Sequence, residues 1–548
     1  MDVDFLTGQD ALLQTMFASY AAEAGDRLWC TFEGTRHTYA EIDAASNQFA
    51  HALRDEVGVV KGDAVAVCMA NCAEYFVAMF AIHRLGAVYV PCSTLYTEDE
   101  LRYQLTHAEV RAVVTDPEML ELVTSSLPDD HGVRATIVVG KEAGAGSTTL
   151  QELLAGRPSS MPSEAAAVAA DDMAMLMYTS GTTDRPKGVM FSQGNLTTAA
   201  HTAVKHFRWR EDDRYLHYFP LFHANGGLYG VAPAIMVGAS IAMVPKFSAS
   251  TFGQMLVEND ATFVPVNSTH VKMILRNPET EFDRVHGVRR MMLGLTLSPE
   301  DFTAFEERFN TRLMGTYGLT ESLGINVIGE PIGPRKVASA GRVIRGYTLR
   351  VLGEDGEPVA TGEPGELALR SHQRHGLAMG YFKDAAKTAE VFGDGWLRSG
   401  DVVRVDDDGY VWFVERKKDM IKRSGFNVAA AEVERVIRGI AGVLDVAVVG
   451  TPDAIREEAI VAYVVPDAPG AVTAEDIFAG CEAGMAEYKR PQFIELVDAL
   501  PLNFLGKIER RVLRERALVY RIDSTERAPV GRRVASDVAG DPQEETRG

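Results

Sequence analysis

Ten consecutive residues, Thr179-Ser-Gly-Thr-Thr-Asp-Arg-Pro-Lys-Gly188, place four hydroxyls, two glycines and one lysine in a single run. Hydroxyls and backbone N–H groups donate and Lys187 is a cation, so such a loop can wrap a polyanion. The hydroxyls are those of Thr179, Ser180, Thr182 and Thr183, with Gly181 between them. A Walker A loop has Gly directly before its Lys, and here Pro186 holds that place. An exposed Ser/Thr/Gly turn is the bland alternative. Whatever the loop binds, its neighbours must hold it still. Met173 to Tyr178 is an apolar run of buried-strand length, and Val189 to Phe191 reads as the returning strand. Asn195 then caps a helix carrying Leu196, Ala199, Ala200 and Val204.

Later stretches carry further chemistry. Thr316-Tyr-Gly-Leu-Thr-Glu321 offers a flat ring in Tyr317 for stacking on a purine, and a hydroxyl donor in Thr320 for an α-phosphate. Glu321 supplies a hard oxygen ligand for Mg2+. The same sequence also suits a Gly-containing turn ahead of a helix. Asp401 follows Gly395-Trp-Leu-Arg-Ser-Gly400, and its carboxylate can accept both hydroxyls of a ribose. Val411-Trp-Phe-Val-Glu-Arg416 reads as a strand ending in a charged hinge, although basic residues through Arg423 are otherwise a solvated face. His223 sits in the apolar run Phe219-Pro-Leu-Phe-His-Ala-Asn-Gly-Gly227, where a satisfied core histidine is the default. Phe263 to His270 leads from a strand into a helix.

In their order and spacing these stretches resemble the adenylate-forming superfamily, which contains acyl- and aryl-CoA synthetases, firefly luciferases and peptide-synthetase adenylation domains. The chain looks most like the stand-alone acyl- or aryl-CoA ligases, from about residue 30 to about residue 515. The family's phosphate loop reads Thr-Ser-Gly-Thr-Thr-Gly-x-Pro-Lys-Gly, and Asp184 replaces its second Gly. The resemblance implies that Thr179 to Thr183, Lys187, Tyr317, Gly318 and Thr320 hold ATP, with Asp401 on the ribose, Arg416 on ribose or phosphate and Glu321 on Mg2+. His223 matches a histidine that lines the acid and adenylate pocket. Lys507, in Pro501-Leu-Asn-Phe-Leu-Gly-Lys-Ile508, takes the place of the lysine that neutralises charge during adenylation. Asn503 and Leu505 depart from that motif's hydroxyl residues, while Gly506 and Lys507 remain. Gly425, in Ser424-Gly-Phe-Asn-Val428, matches the glycine strand that meets the pantetheine arm of CoA. Lys418 matches the pivot between domains. Leu295, Thr296 and Leu297 replace the usual residues after Gly294, which implies an altered pocket wall.

At 548 residues the chain exceeds one ordinary core. A hydrophobic content of 46% and a charged content of 24% are those of a soluble globular protein. The net charge of −21 argues against nucleic acid as a partner. An anionic nucleotide must therefore be held by local cations. Cys30, Cys68, Cys72, Cys92 and Cys481 lack paired zinc-ligand spacing and fit buried or free thiols in a reducing cytosol. The first residues show no secretory signal. Residues 215–245 contain no Asp, Glu, Lys or Arg, but prolines and polar residues interrupt the run, so a buried core segment is expected and no membrane insertion.

Residues 1 to about 170 alternate helical and strand-like patterns, the mark of an α/β domain. Thr38 with Glu41 reads as a capping box and Ala64 to Cys68 as a buried strand. Asn71 reads as the cap of a helix through Phe76 and Phe80. Residues from about 143 to about 170 read as an exposed connection. The expected fold is α/β, with a large N-terminal domain of helix-flanked sheets and a small mobile α+β C-terminal domain. Its boundaries are 1–416 and 417–520, with 521–548 a disordered tail. The expected function is an AMP-forming, cytoplasmic acid–thiol ligase using ATP, Mg2+ and CoA. A small-molecule acid and CoA are its partners, and a second copy of the chain or a carrier protein stays open. Transfer to an amine or a carrier thiol, activation of nitrite, and nucleotide binding without catalysis stand as alternatives.

Overall fold

The computed structural model describes residues 12–127, 132–179, 186–294, 297–423, 426–454, 456–502 and 508–520. These fall into two compact units. One takes in Met1–Arg350, Ala368–Ser399 and Asp406–Val411, and the other Val351–Leu367, Gly400–Val405 and Trp412–Gly548.

The first unit is built on two sheets. The eight-stranded sheet runs, edge to edge, Gly380–Tyr381, Lys187–Ser192, Met173–Thr179, Val88–Pro91, Ala64–Cys68, Val110–Thr115, Ala135–Val138, Thr148–Thr149. Its middle strands pair in parallel, and every residue of Ala64–Cys68 is buried, as a strand covered on both faces requires. In the other sheet, nine neighbouring strands run Gly341–Val343, Gly324–Ile328, Leu313–Leu319, Arg290–Gly294, Phe263–Asn267, Arg214–His217, Ser240–Met243, Leu28–Phe32, Thr35–Thr38. Helices Tyr39–Asp55, Ala73–Arg84 and Gln193–Phe207 bury apolar residues in the main core. Trp29, Phe17, Tyr39, Phe76 and Phe80 meet there ring to ring. Each fully buried side chain of this size stabilises by roughly 1.5–3 kcal/mol. Residues 215–245 are threaded through this core as strand, helix and strand. Among the described residues no helix is long and apolar enough to cross a membrane.

The second unit carries the strands Phe426–Val428, Ile421–Arg423, Glu457–Pro466 and Val443–Asp453 in that order, with Phe493–Leu496 parallel to Glu457–Pro466. Helix Ala430–Arg438 buries Ala430, Val433, Glu434 and Ile437, one face at helical spacing. The protein is thus a mixed α/β chain with a large helix-flanked sheet domain and a separate C-terminal domain.

Local signals fared unevenly. The capping box forms as expected, with Thr38 accepting from Glu41 N and Glu41 reaching back to Thr38 N. The helix after the phosphate-loop strands starts earlier than expected. Ser192 is its N-cap, and Asn195 reaches back to Ser192 N from the third helical position. Asn71 caps nothing: its amide donates to Phe219 O at 2.9 Å and accepts from Leu221 N at 2.9 Å, so a distant loop takes both its hydrogen bonds. The connection over residues 143–170 contains a capped helix, Leu150–Leu154, whose Leu150 and Leu153 are buried. The tail expected from residue 521 lies outside the described residues.

Candidate active site

The strands around the phosphate loop form an antiparallel pair in which Thr179 faces Lys187 and Tyr178 faces Gly188. Ser180, Gly181, Thr182, Thr183 and Asp184 lie outside the described residues. Lys187 therefore leaves the loop at the first position of a strand, half-buried, with Nζ 5.8 Å from the centre of the Tyr381 ring.

Thr316 to Glu321 does not run into a helix. Strand Leu313–Leu319 ends in one tight turn, Thr320–Ser322, and returns as Gly324–Ile328. The register slips between Tyr317 and Gly318, and a Cβ on Gly318 would run into the carbonyl of Gly324. Gly324, with φ of 106°, packs its backbone against the Tyr229 ring. Glycine is thus fixed at both positions by close approach. The turn sets Thr320 and Glu321, both half-buried, at the tip of the hairpin.

One tyrosine meets the Glu321 carboxylate and a second feels its charge. Tyr381 Oη donates to Glu321 Oε1 at 2.8 Å. Burial, and then the Glu321 charge, push the Tyr381 phenol well above its ordinary pKa. Tyr229 is raised by the same two causes in the same order. Both phenols therefore stay protonated and can act as donors. Tyr381 also pairs with Val189 in the strand that begins at Lys187. Tyr381 and Tyr229 escape a reading of the sequence because nothing local marks them: tertiary packing brings Tyr381 to Glu321 and the Tyr229 ring to Gly324.

Tyr229 lies in a π-helical turn, Gly227–Val231, just after His223. Such turns recur at functional sites. The half-buried His223 starts that segment, its N–H donating to Pro220 O and its carbonyl accepting from Gly226 and Gly227. Asn71 holds the same loop by its backbone. Strand Phe263–Asn267 passes into helix Ser268–Leu275 as expected, with Asn267 as the cap. His270 lies against the rings of Tyr218, Phe219 and Phe247, and burial holds its imidazole down to about 4. Gly294 ends its strand, while Leu295 and Thr296 lie outside the described residues.

In the second unit, Asp401 and Arg416 meet directly, Arg416 Nε standing 2.8 Å from Asp401 Oδ1. The next carboxylate, Glu415, accepts from the N–H groups of Arg416 and Ala431 and is raised by burial. Gly425 and Lys507 lie outside the described residues. Leu502 and Ile508, on either side of the lysine's segment, form an antiparallel bridge.

The donors on the hairpin suit Mg2+. That ion is usually held by one or two carboxylates plus substrate phosphates rather than by an all-protein cage. Glu321 and the neighbouring Thr320 hydroxyl are such a partial set, across from the Lys187 strand. The first unit thus brings together a cation, a carboxylate and a hydroxyl around the end of a loop rich in donors, an arrangement fit to hold and neutralise a nucleotide triphosphate.

Comparison with known proteins agrees with this chemistry. The model of the AMP-binding enzyme family matches residues 17–382, and that of the AMP-binding enzyme C-terminal domain matches residues 432–507. Crotonobetaine/carnitine–CoA ligase of Salmonella typhi is 31% identical over 522 residues, covering 93% of this chain and 100% of that protein. The crystal structure of the anthranilate–CoA ligase AuaEII in complex with anthranoyl-AMP is similar with a TM-score of 0.85 and 27% identity, over 95% of this chain and 99% of that one. ATP-bound MatB from Rhodopseudomonas palustris is similar with a TM-score of 0.82 and 28% identity, over 92% and 99%.

Proposed function

The chain belongs to the AMP-binding enzyme family, and from that premise we propose which of its residues run the reaction and what kind of acid it takes. The protein is an AMP-forming acid–thiol ligase that binds ATP and passes an activated acyl group to CoA. In the first step a carboxylate oxygen attacks the α-phosphorus, the bond to the β-phosphate oxygen breaks, and pyrophosphate leaves. In the second, the CoA sulfur attacks the acyl carbon as its proton is lost, and AMP leaves with the electron pair of the carbon–oxygen bond.

Lys187 and the loop hydroxyls neutralise the leaving pyrophosphate, and Thr320 donates to the α-phosphate. Lys507 approaches the attacked phosphate from the C-terminal domain, 417–520. Tyr317 stacks on the purine, with Gly318 beside it. Asp401 and Arg416 hold the ribose. Glu321 holds Mg2+, which when bound spreads the charge of the triphosphate. His223 faces the acid, and the Gly425 strand receives the pantetheine arm after rotation of the C-terminal domain near Lys418. Positioning and charge neutralisation are the main demands of phosphoryl chemistry. The observation that carries this assignment is that Lys187 and Glu321 share one neighbour, Tyr381, the ammonium over its ring and the carboxylate on its hydroxyl.

The acid is read as one with an uncharged body. The segment 263–270, which borders the pocket in this reading, contains no Lys or Arg and presents His270, held neutral by burial, among three aromatic rings. Five free cysteines fit a reducing cytoplasm. The test is pyrophosphate release from Mg2+·ATP across aryl, aliphatic, dicarboxylic and betaine acids, with and without CoA. A preference for aryl or aliphatic monoacids with thioester formation is expected. Turnover restricted to dicarboxylic acids would reject the acid class, and indifference to CoA would reject the acceptor.

A further inference from the structure

The carboxylate of Glu321 and the ammonium of Lys187 sit on different sheets of the first unit, and one segment spans the gap. Met379 N donates to Met190 O at 2.9 Å and Phe382 N to Gly188 O at 2.8 Å, so residues 379–382 form an edge on the Lys187 strand. On the other side, Ala378 N donates to Glu321 O at 3.0 Å, and Tyr381 Oη donates to Glu321 Oε1 at 2.8 Å. The segment is itself held in place. Tyr381 N donates to Thr388 Oγ1 at 2.9 Å, the Tyr381 ring meets Phe392 edge-on at 6.0 Å, and the residue is 7% exposed.

Within this bridge only the phenol touches the carboxylate itself. A donor fixed on one oxygen sets the orientation of the group and leaves the second oxygen for a cation. Partners of this kind hold a metal-binding carboxylate in place, and their loss typically costs 10–100-fold in metal affinity or activity. The Tyr381 ring also lies beneath Lys187 Nζ, so one side chain sets the position of the carboxylate relative to the lysine. We propose that Tyr381 is a positioning residue for nucleotide-bound Mg2+: its hydroxyl holds Glu321 with one oxygen engaged and the other turned to the ion, at a fixed offset from Lys187. The inference rests on the reading of Glu321 as the Mg2+ carboxylate.

Tyr381→Phe keeps the ring, its edge contact and its face towards Lys187, and removes only the hydroxyl. In the full chain, the Mg2+ concentration for half-maximal pyrophosphate release is expected to rise about 10–100-fold. Most of kcat should return at saturating Mg2+. Mn2+·ATP binding, followed by the Mn2+ paramagnetic resonance signal without turnover, should weaken by a similar factor. The thermal midpoint, recorded alongside, separates this from loss of fold. Glu321→Gln is the reference. If it shifts the Mg2+ requirement and Tyr381→Phe does not, the positioning role is overturned while the reading of Glu321 stands. If Tyr381→Phe lowers kcat equally at every Mg2+ concentration, the role is likewise overturned. If Glu321→Gln leaves the Mg2+ requirement unchanged, the premise falls and the proposal with it.

Discussion

Arg416 Nε stands 2.8 Å from Asp401 Oδ1, with the carboxylate side chain 1% exposed and the guanidinium 42% exposed. The asymmetry separates stability from binding. In Arg416→Ala the buried carboxylate loses its ion-pair partner. Removing the partner of a fully buried pair costs 3–5 kcal/mol, and the half-open guanidinium brings this to about 2 kcal/mol. In Asp401→Asn the guanidinium can turn to water, so the cost should stay below about 1 kcal/mol. Nucleotide affinity should order the other way. In the proposed ribose role, Asp401→Asn is expected to weaken charge-assisted bonds worth about 1.5–3 kcal/mol and to raise KM for ATP about 10–100-fold. Urea unfolding and ATP titration of both variants check the crossed order, and a shared order would remove the ribose assignment.

Lys187 is half-buried, and among the described residues its ammonium lies over the Tyr381 ring. A half-buried contact of that kind is worth about 1 kcal/mol. Lys187→Ala should therefore leave the thermal midpoint nearly unmoved. If Lys187 neutralises the leaving group as proposed, its loss should lower kcat for pyrophosphate release about 100- to 1000-fold. Stopped assays with ATP at saturation separate this from weaker binding. A variant that loses only ATP affinity would move Lys187 from the chemical step to binding alone.

What could be read ahead from the chain depended on how far apart the partners lie. Thr38 and Glu41 are three residues apart and form the capping box their spacing demands. Met173–Thr179 and Lys187–Ser192 are strands because their own apolar residues dictate it. Asn71 had equally good local credentials as a cap, yet backbone groups of Phe219 and Leu221 claim its amide. Local propensity is a weak prior that tertiary partners override. The site divides the same way. Lys187, Thr320 and Glu321 announce themselves by type and spacing. Tyr381 stands 60 positions from Glu321 and has no periodicity linking them, so the contact appears only once the two sheets are folded.

Gly318 offers a sharper test of the hairpin that carries Glu321. A Cβ there meets backbone, the Gly324 carbonyl, rather than the flexible end of a side chain. The strands must separate or the turn must shift, and overpacking of this kind typically costs 1–3 kcal/mol, occasionally more. Gly318→Ala is expected at or above about 3 kcal/mol, with Mg2+-dependent pyrophosphate release lost as Thr320 and Glu321 move. Gly287→Ala is the control, since nothing lies within 4 Å of a Cβ there and the site is remote in sequence. Equal stability of the two variants would mean that the hairpin closes otherwise than described.

Buried histidines set the response to acid. His83 and His270 are held down to about 4 and His217 to about 3, in each case chiefly by burial. An unfolded histidine titrates near 6.5. Below that value the unfolded chain takes up protons that the folded chain refuses, so stability falls as pH falls, and the loss stops only once the folded histidines titrate near 4 and 3. Above pH 7.5 the contribution is fully present. Three such groups give a limiting slope of about 4 kcal/mol per pH unit, and a loss of about 4 kcal/mol between pH 7.5 and 5.5. His107, His201, His206, His286 and His375 are lowered too, burial being the largest cause, and add in the same direction. Most carboxylates titrate below this window, which isolates the histidines. Urea midpoints at the two pH values measure the loss. His270→Phe, in a site already lined by Tyr218, Phe219 and Phe247, should remove about a third of the slope from the three strongest groups. A midpoint that holds constant from pH 7.5 to 5.5 would show these imidazoles to be protonated in the native fold, and would contradict their burial as neutral groups.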